Sequence, residues 1–252
     1  MNSIAYFFSD THLGASYIDD HRAHEARVVE FLDSIKDDAA ELYLLGDIID
    51  YWFEYRHVVP RGYVRFFGKL AELADSGVKI TWVVGNHDVW LRDYLSSEVG
   101  LKVFYGTTEV DVLGHRFLIS HGDDVGKRPF GQRLTRFLFH NKVTQWLYSL
   151  IHPNFTWWIA CGLSTSNRVN RNPQTEQRSA KHCIELLDEF ARDYATKHPE
   201  VEHFVMGHLH SARLTPIDDK RSICHLGAWI YDYWSYARFD GQQLTLHNHQ
   251  KQ

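Results

Sequence analysis

Five short apolar runs, each followed by polar residues, place the strongest constraint on how this 252-residue chain can fold. The runs are Ile4–Phe8, Leu42–Leu45, Ile80–Val84, Phe117–Ile119 and Phe204–Met206. Continuous apolar runs of this length are typical of buried strands. The polar residues after each run therefore lie at the carboxyl end of a strand, where binding sites form in α/β sheets. We expect one site, assembled from the ends of several strands.

The polar residues form five motifs rich in carboxylate, imidazole and amide groups. In chain order, the motifs are Asp10-x-His12, Gly46-Asp47-x-x-Asp50, Gly85-Asn86-His87-Asp88, His121-Gly122-Asp123 and Gly207-His208-x-His210. Each motif alone occurs by chance in many proteins, whereas all five in this order are not expected by chance. Oxygen and nitrogen donors without a thiolate suit divalent ions such as Mn²⁺, Fe²⁺ or Zn²⁺, and we expect Mn²⁺. Two adjacent ions of this kind are suited to hydrolysing phosphate esters, and the Asp47 carboxylate can bridge them.

The segments between and after these strands predict the remaining architecture. Apolar residues recur at helical spacing in His21–Lys36, Tyr63–Asp75 and Gln174–Lys197. Hairpins are predicted in Glu109–Ser120, Arg213–Leu226 and Ser235–His247, and the first of them should turn at Gly114-His115. Helices that alternate with strands early, followed by hairpins late, predict a two-sheet α/β sandwich flanked by helices.

Composition and charge limit the class of protein. A net charge of −5 gives no overall attraction to nucleic acid, so any attraction to anions must be local. The three cysteines have no close spacing, which indicates reduced thiols in a cytoplasmic protein and not a disulfide framework. The amino terminus enters a strand without a basic and apolar leader. No apolar run reaches the roughly 20 residues of a membrane span.

The spacing of the motifs reveals one long insertion. The first four motifs lie 35 to 39 residues apart, whereas His121 and His208 are separated by 87 residues. Within this interval, Val125–Thr175 contains no Asp or Glu and combines seven Lys or Arg residues with eight aromatic residues. Such a block can meet phosphate groups and line an apolar slot. Alternatively, its aromatic side chains simply pack on the body of the protein.

The five motifs together resemble the calcineurin-like metallophosphoesterase superfamily, and the resemblance spans nearly the whole chain. It implies a four-layer α/β/β/α sandwich formed by residues 1–252 as a single domain, with residues 125–175 inserted as a helical cap. It also implies two metal ions bridged by Asp47. The remaining ligands are then Asp10, His12 and His210 for one ion, and Asn86, His121 and His208 for the other.

His87 and Asp50 are the candidates for direct catalytic roles. His87 follows the ligand Asn86 and faces the same edge, so its imidazole can protonate the leaving oxygen or hold the phosphate. Asp50 lies three residues after Asp47 and, as in superfamily members with this pattern, can orient the His87 ring. Asp88 is expected to fix a loop or to support a ligand.

Several longer segments indicate one family within this superfamily. They are Phe8-Ser9-Asp10-Thr11-His12-Leu13, Leu45-Gly46-Asp47-Ile48-Ile49-Asp50-Tyr51-Trp52, Leu226-Gly227-Ala228-Trp229, His152-Pro153-Asn154 within the cap and the polar run Ser164–Arg171. The chain resembles the UDP-2,3-diacylglucosamine pyrophosphatases of lipid A synthesis. That family cleaves the diphosphate of a UDP-linked diacyl glucosamine and releases UMP and a diacylated sugar phosphate. One departure is His87, since the best-known members carry arginine at this position.

The narrower resemblance also implies partners. The cap is expected to take the acyl chains of a lipid-linked nucleotide, and the protein to contact the inner membrane peripherally from the cytoplasm. The residues expected to contact substrate are Asn86, Arg128, Arg133, Ser164, Arg168 and Arg171. No nucleic acid partner is expected.

Two other classes stay open at this stage. One is a nuclease or nucleotide phosphodiesterase, whose basic block would grip a phosphate backbone while aromatic residues stack on bases. The helical spacing of Phe130, Leu134, Phe137 and Leu138 favours a buried or acyl-facing stripe over a stacking surface. The other is a non-enzymatic protein that kept the fold. Such a protein should have lost ligands, and all seven are present.

Overall fold

The computed structural model describes residues 3–125, 137, 139, 141–159, 162, 173–230 and 234–249. The described strands are β1 (Ile4–Phe8), β2 (Ala39–Leu45), β3 (Lys79–Val84), β4 (Lys102–Tyr105), β5 (Thr108–Val112), β6 (His115–Ser120), β7 (His203–Met206), β8 (Arg213–Pro216), β9 (Ser222–His225), β10 (Ser235–Phe239) and β11 (Leu244–Asn248). The described helices are α1 (His21–Ser34), α2 (Val64–Asp75), α3 (Tyr94–Glu98), α4 (Lys142–Ser149) and α5 (Pro173–Lys197). Residues 153–159 are also helical.

The strands form two sheets, and the motifs follow parallel strands in both. The first sheet has the order β11-β10-β1-β2-β3-β4, in which β1 to β4 run parallel. The second has the order β5-β6-β7-β9-β8, in which β6, β7 and β9 run parallel. The antiparallel strands lie at the margins of the sheets. Each motif follows β1, β2, β3, β6 or β7, as the apolar runs predicted.

The two sheets pack face to face through aromatic side chains. Successive residues of a strand face opposite sides, so Phe7 enters the layer between the sheets while Phe8 packs on Phe31 of α1. The Phe7 ring stacks on Tyr43 of β2 at 4.7 Å and on Phe117 of β6 at 5.6 Å, measured between ring centroids. Since both faces of β1 are covered, all five of its residues are buried.

Helices cover both outer faces of the sandwich. Leu187, Ala191 and Ala195 of α5 are buried against Phe204 of β7 and Ile223 of β9. Residues of α1 and α2 pack on the outer face of the first sheet. The layers therefore run helix, sheet, sheet, helix, and the predicted four-layer α/β sandwich is confirmed.

Helix α2 obtains its amino-terminal cap from α1. Its own N-cap residue, Tyr63, has a φ of 58° and makes no side-chain capping bond. Instead, Glu25 of α1 accepts hydrogen bonds from the backbone N–H groups of Arg65 at 3.0 Å and Phe66 at 3.1 Å. These bonds satisfy two N–H groups that a helix start leaves free, and they tie α2 to α1.

One hairpin turn is shifted by one residue from its predicted place. Val112 pairs with His115, so the turn consists of Leu113 and Gly114 and not of Gly114-His115. Both turn residues have positive φ, 50° and 89°, as a two-residue type I′ turn requires. The sequence analysis did not predict β4, a four-residue edge strand whose residues are half-buried or exposed and are followed by no motif.

The described part of the insertion is helical and is joined to the body by tyrosines. The hydroxyl groups of Tyr51 and Tyr148 lie 3.3 Å apart, and the hydroxyl of Tyr55 lies 2.9 Å from that of Thr156. The boundaries of the cap, residues 125–175, stay a prediction. Within the described ranges, no helix combines the length and apolar composition needed to cross a membrane.

Replacing Phe117 with alanine tests the layer between the sheets. Phe117 is fully buried and its ring lies 5.0 Å from that of Phe239. Removing a buried phenylalanine ring typically costs about 3–5 kcal/mol, so Phe117→Ala should lower the free energy of unfolding in urea by that amount. Phe155→Ala, at a position 54% exposed, is the matched control and should cost about 0.5 kcal/mol or less. Equal losses in the two variants would contradict this description of the core.

Candidate metal centre

The seven predicted ligands lie together where the carboxyl ends of the two sheets meet. Donor atoms of six of them, together with one from His87, form three overlapping groups, and the atoms within each group lie within 4.8 Å of one another. The groups are Asp10, His12 and His210; His12, Asp47 and His87; and Asp47, His121 and His208. Asn86 joins the last group, because its Oδ1 lies 3.3 Å from Nε2 of His121. The first sheet supplies four of the predicted ligands and the second sheet supplies three.

Asp47 stands between the two predicted metal sites. Its Oδ2 lies 3.3 Å from Nε2 of His121 on one side and 3.9 Å from Nε2 of His12 on the other. Its Oδ1 accepts a hydrogen bond from the backbone N–H of His87 at 2.9 Å. A carboxylate held in this way can present one oxygen to both neighbouring groups of donors, which is the geometry that a bridging ligand needs.

One oxygen of the Asp10 carboxylate is held by hydrogen bonds, and the other oxygen points toward imidazole rings. Oδ2 accepts hydrogen bonds from the Ser9 hydroxyl at 2.5 Å and from the His208 backbone N–H at 2.9 Å. Oδ1 is buried and makes no hydrogen bond of good geometry within the described part of the chain. It lies 3.2 Å from Nε2 of His210 and 3.9 Å from Nε2 of His12. A buried carboxylate oxygen without a hydrogen bond is costly, and a cation bound between this oxygen and the two imidazoles would satisfy it.

The backbone is strained at five of the seven predicted ligands. Their φ angles are 55° at Asp10, 45° at His12, 52° at Asp47, 70° at His208 and 51° at His210. A positive φ is uncommon for residues other than glycine, and strain of this kind collects at functional sites. All five residues lie within four residues of the end of a buried strand, which fixes the chain on one side.

Two glycines allow the ligand loops to approach one another. Gly46 has a φ of 81°, and a Cβ atom placed on it would lie 2.6 Å from Nδ1 of His121. A Cβ atom on Gly207 would lie 2.9 Å from Oδ2 of Asp10. Side chains at these positions would force apart the two sheets' ligand loops, so the glycine before Asp47 and the glycine before His208 are steric requirements of the site.

Hydrogen bonds to Nδ1 set the orientation of two imidazoles. Nδ1 of His121 lies 2.8 Å from the carbonyl oxygen of Leu45, and Nδ1 of His12 lies 3.0 Å from Oδ1 of Asp50. In a neutral imidazole, an N–H at Nδ1 that donates to these oxygens leaves Nε2 free of a proton. Nε2 is the atom that faces Asp47 in both residues, so the supporting bonds prepare it to bind a metal.

The electrostatics of the pocket favour a cation. Burial alone would lower the pKa of His121, but the negative charge of Asp47 raises it well above its usual value. Burial lowers the pKa of His208 to about 4 and also lowers that of His12, so both imidazoles are neutral near pH 7. Burial would raise the pKa of Asp47, but the neighbouring imidazoles His121 and His87 hold it well below its usual range. Ionised carboxylates beside neutral imidazoles are the donor set that divalent metals require, so a metal bound at Nε2 of His121 would displace the proton of that ring.

The Asp50 carboxylate contacts the rings of both His12 and His87. Besides binding His12, its Oδ1 lies 3.2 Å from Nδ1 of His87, and its backbone carbonyl lies 3.0 Å from the same atom. Burial would lower the pKa of His87, but the charges of Asp47 and Asp50 raise it to about 9. Nε2 of His87 lies 4.0 Å from Oδ2 of Asp47. The arrangement holds a protonated imidazole at the edge of the two donor groups.

Three further residues, Ser9, Leu45 and Asp88, support the site. Of these, only Asp88 was predicted from the sequence to have a supporting role. Asp88, within the Asn86 motif, accepts hydrogen bonds from the backbone N–H groups of Gly85 and Ile48, and so joins two ligand loops. Ser9 and Leu45 act through a hydroxyl and a backbone carbonyl. A carbonyl carries no sequence signature, so no pattern could have identified Leu45.

The predicted substrate contacts are only partly described. Asn86 lies among the metal-site donors. The other five, Arg128, Arg133, Ser164, Arg168 and Arg171, lie outside the described residues. Their contact with substrate stays a prediction.

This chain is similar to several known proteins. A model of the calcineurin-like phosphoesterase family matches residues 5–212. UDP-2,3-diacylglucosamine hydrolase from Porphyromonas gingivalis is 38% identical to this chain over 98% of the chain and 97% of that protein. The protein of the same name from Edwardsiella ictaluri is 26% identical over 95% of this chain and 90% of that protein. A dimetal phosphatase structure from Danio rerio aligns with a TM-score of 0.48 and 13% identity, covering 98% of this chain and 96% of that one.

Metal content after dialysis tests the role of Asp47. Wild-type protein should retain two metal ions per chain, and Asp47→Ala should lose both, because the remaining ligands cannot share a charge between two cations. Glu109→Ala is the control. Glu109 belongs to a separate donor group with His198 and Glu200, but its Oε1 already accepts a hydrogen bond from Tyr194 at 2.6 Å. Mass spectrometry of bound metal should find two ions in this control. Two ions in Asp47→Ala would remove Asp47 from the bridging position.

Proposed function

The chain belongs to the calcineurin-like phosphoesterase family, and we propose that it cleaves the diphosphate of UDP-2,3-diacylglucosamine or a similar lipid-linked nucleotide. The products would be UMP and a diacylated sugar phosphate. The observation that carries the proposal is the convergence of all seven metal ligands in a chain whose relative, 38% identical over 98% of its length, is named UDP-2,3-diacylglucosamine hydrolase. Metal-dependent hydrolysis is the chemistry of the family.

The residues present fit two divalent ions, which we propose to be Mn²⁺. When bound, such ions bind phosphate oxygens, lower the pKa of a water molecule and neutralise developing charge. Asp10, His12 and His210 would hold one ion, and Asn86, His121 and His208 the other, with Asp47 shared. Oxygen and imidazole donors without thiolate support Mn²⁺ over softer metals.

His87 is suited to protonate the leaving oxygen of the phosphate ester. Its Nδ1 is held by the side chain and the backbone carbonyl of Asp50, which leaves Nε2 to face the substrate. Without metal, the charges of Asp47 and Asp50 raise the pKa of the ring to about 9, and the contact of Nδ1 with Asp50, which is not a metal ligand, favours the protonated ring when Asp47 holds metal. The ring is about a quarter exposed, at 27%, so it can reach a bound substrate from the pocket wall. Asp50 then acts by orienting His87 and His12.

The described part of the cap supports the proposal that the substrate is acylated and that the protein contacts the inner membrane surface peripherally. Thirteen large apolar side chains are exposed among the described residues, and ten of them lie between positions 137 and 158. Soluble proteins rarely expose a concentrated set of this kind unless it meets a lipid or a partner. The absence of any Asp or Glu from Val125 to Thr175 supports contact with anionic lipid.

The fall in turnover caused by removing His87 should depend on the leaving group of the substrate. His87→Ala should keep both metal ions but reduce turnover of a poor leaving group by about 10²–10⁴-fold, the usual size of general acid help. A phosphodiester with a strongly acidic leaving group needs no protonation and should lose much less. His57→Ala, at an exposed position outside the pocket, should change neither rate. Equal losses for good and poor leaving groups would exclude the general acid role.

The acyl chains of the substrate should contribute strongly to turnover. We expect kcat/KM for UDP-2,3-diacylglucosamine to exceed that for the same UDP-sugar without acyl chains by about 10²-fold or more, because remote binding energy would be lost. Both rates should vanish after metal removal with EDTA and return with Mn²⁺. A single-stranded oligonucleotide should be a poor substrate. Faster cleavage of the oligonucleotide than of the diacyl substrate would replace this proposal with a nuclease.

A further inference from the structure

One histidine outside the five motifs contacts the turn that carries Asp10 and His12. His24 lies in the first turn of α1 and is 4% exposed. Its Nε2 lies 2.7 Å from the backbone carbonyl oxygen of Thr11, the residue between the two predicted ligands. Burial lowers the pKa of His24, so the ring is neutral near pH 7 and carries one N–H group. Because a carbonyl oxygen can only accept, that N–H group is at Nε2 and donates to Thr11.

The hydrogen bond from His24 completes the support of one peptide group. The carbonyl of Thr11 and the N–H of His12 belong to the same planar peptide. The His12 N–H donates to the backbone carbonyl of Asp47 at 3.0 Å, and the Thr11 carbonyl accepts from His24. Both polar groups of this peptide are therefore held, which fixes the orientation of its plane and the direction in which the His12 side chain leaves the backbone.

The same turn is strained on both sides of Thr11. The φ angles of Asp10 and His12 are 55° and 45°. Residues other than glycine keep such angles only where the surrounding structure holds them. A support lost from Thr11 should therefore allow the turn to relax and should move the Asp10 and His12 side chains away from the positions that a metal ion needs.

His24 differs from the other supports of this turn because it is a side chain from a helix. The other supports are the backbone carbonyl oxygens of Gly46, Asp47 and Ile48 and the backbone N–H of Trp229. A substitution does not remove a backbone carbonyl, whereas it can remove the imidazole. Helix α1 is itself well fixed, since its residues Val28, Phe31 and Leu32 are buried in the core beside the first sheet.

We propose that His24 is a positioning residue for one of the two metal ions. The first metal site is the one formed by Asp10, His12 and His210, and the second metal site is the one formed by Asn86, His121 and His208. His24 orders the turn of the first site before metal binds, so that less ordering is left for the binding step. Among the described residues, no hydrogen bond joins His24 to a ligand of the second site. This inference rests on the two-metal centre of the proposed function.

Titration of the metal-free, full-length protein with Mn²⁺ tests the selective effect on the first site. His24→Leu keeps a buried side chain of similar size but donates no hydrogen bond. It should bind the ion of the first site about 10–100-fold more weakly, the usual effect of removing a group that supports a metal ligand. The affinity of the second site should not fall. Anomalous diffraction from crystals grown at limiting Mn²⁺ identifies which of the two sites is empty.

Two polar variants test the hydrogen bond itself. His24→Gln places an amide N–H group close to the position of Nε2 of histidine, so it should restore the affinity of the first site. His24→Asn is one methylene shorter and does not reach the Thr11 carbonyl, so it should lose affinity as His24→Leu does. A first site that is equally strong in the Gln and Asn variants would overturn the proposal, and this comparison holds even if His24→Leu does not fold.

His203→Leu is the matched control for a general loss of stability. His203 is also buried, at 7% exposed, and its Nδ1 lies 2.9 Å from the Ser222 hydroxyl at the amino ends of β7 and β9. This variant should unfold at lower urea concentration but bind both ions as wild type does. Equal weakening of both sites in His24→Leu would assign His24 a general structural role and overturn the proposal.

The wild-type titration separates this inference from the proposed function. Fewer than two ions bound by wild-type protein would overturn the two-metal centre, and the role of His24 with it. Two ions bound by wild type, with the same two affinities in His24→Asn, would overturn the role of His24 alone. Two ions in wild type and a selective loss from the first site in His24→Asn would support the proposal.

Discussion

Three carboxylates, from Asp10, Asp47 and Asp50, are buried together with imidazole rings where the two sheets meet. Buried charges are costly unless they are paired and hydrogen-bonded, so this concentration of charge sets the requirements that the surrounding structure meets. Backbone N–H groups and the Ser9 hydroxyl hold the carboxylates, while strained φ angles direct the ligands inward. The buried strands of the sandwich hold the chain on one side of each strained residue. Bound cations would balance the charge of the carboxylates.

The backbone that orients His87 also holds the cap. Asp50 binds the His87 ring, and the next residue, Tyr51, meets the cap at Tyr148. Three residues after His87, Trp90 donates from Nε1 to the carbonyl of Phe139 at 2.7 Å. The segments after Asp50 and His87 are also paired with each other by a bridge between Phe53 and Trp90. The two segments that hold the candidate general acid therefore also contact the described part of the cap.

The sequence predicted the parts of the site that depend on residue type and order. The apolar runs predicted β1, β2, β3, β6 and β7, and therefore the edge at which the motifs meet. The sequence could not predict supports made by backbone atoms, such as the Leu45 carbonyl, because any residue supplies that group. The sequence also could not predict that Arg22 and Arg61 line one cleft, because the two residues lie far apart in the chain and belong to no motif. The turn at Leu113 was displaced because glycine suits either position of a type I′ turn.

Anomalous X-ray diffraction at the manganese edge, from crystals grown with Mn²⁺, tests the central claim most directly. We predict two peaks about 3.5–4 Å apart, as in known two-metal sites, with an oxygen of Asp47 in contact with both. One peak should lie among Asp10, His12 and His210, and the other among Asn86, His121 and His208. A single peak, or two peaks of which only one contacts Asp47, would contradict the account of a shared two-metal centre.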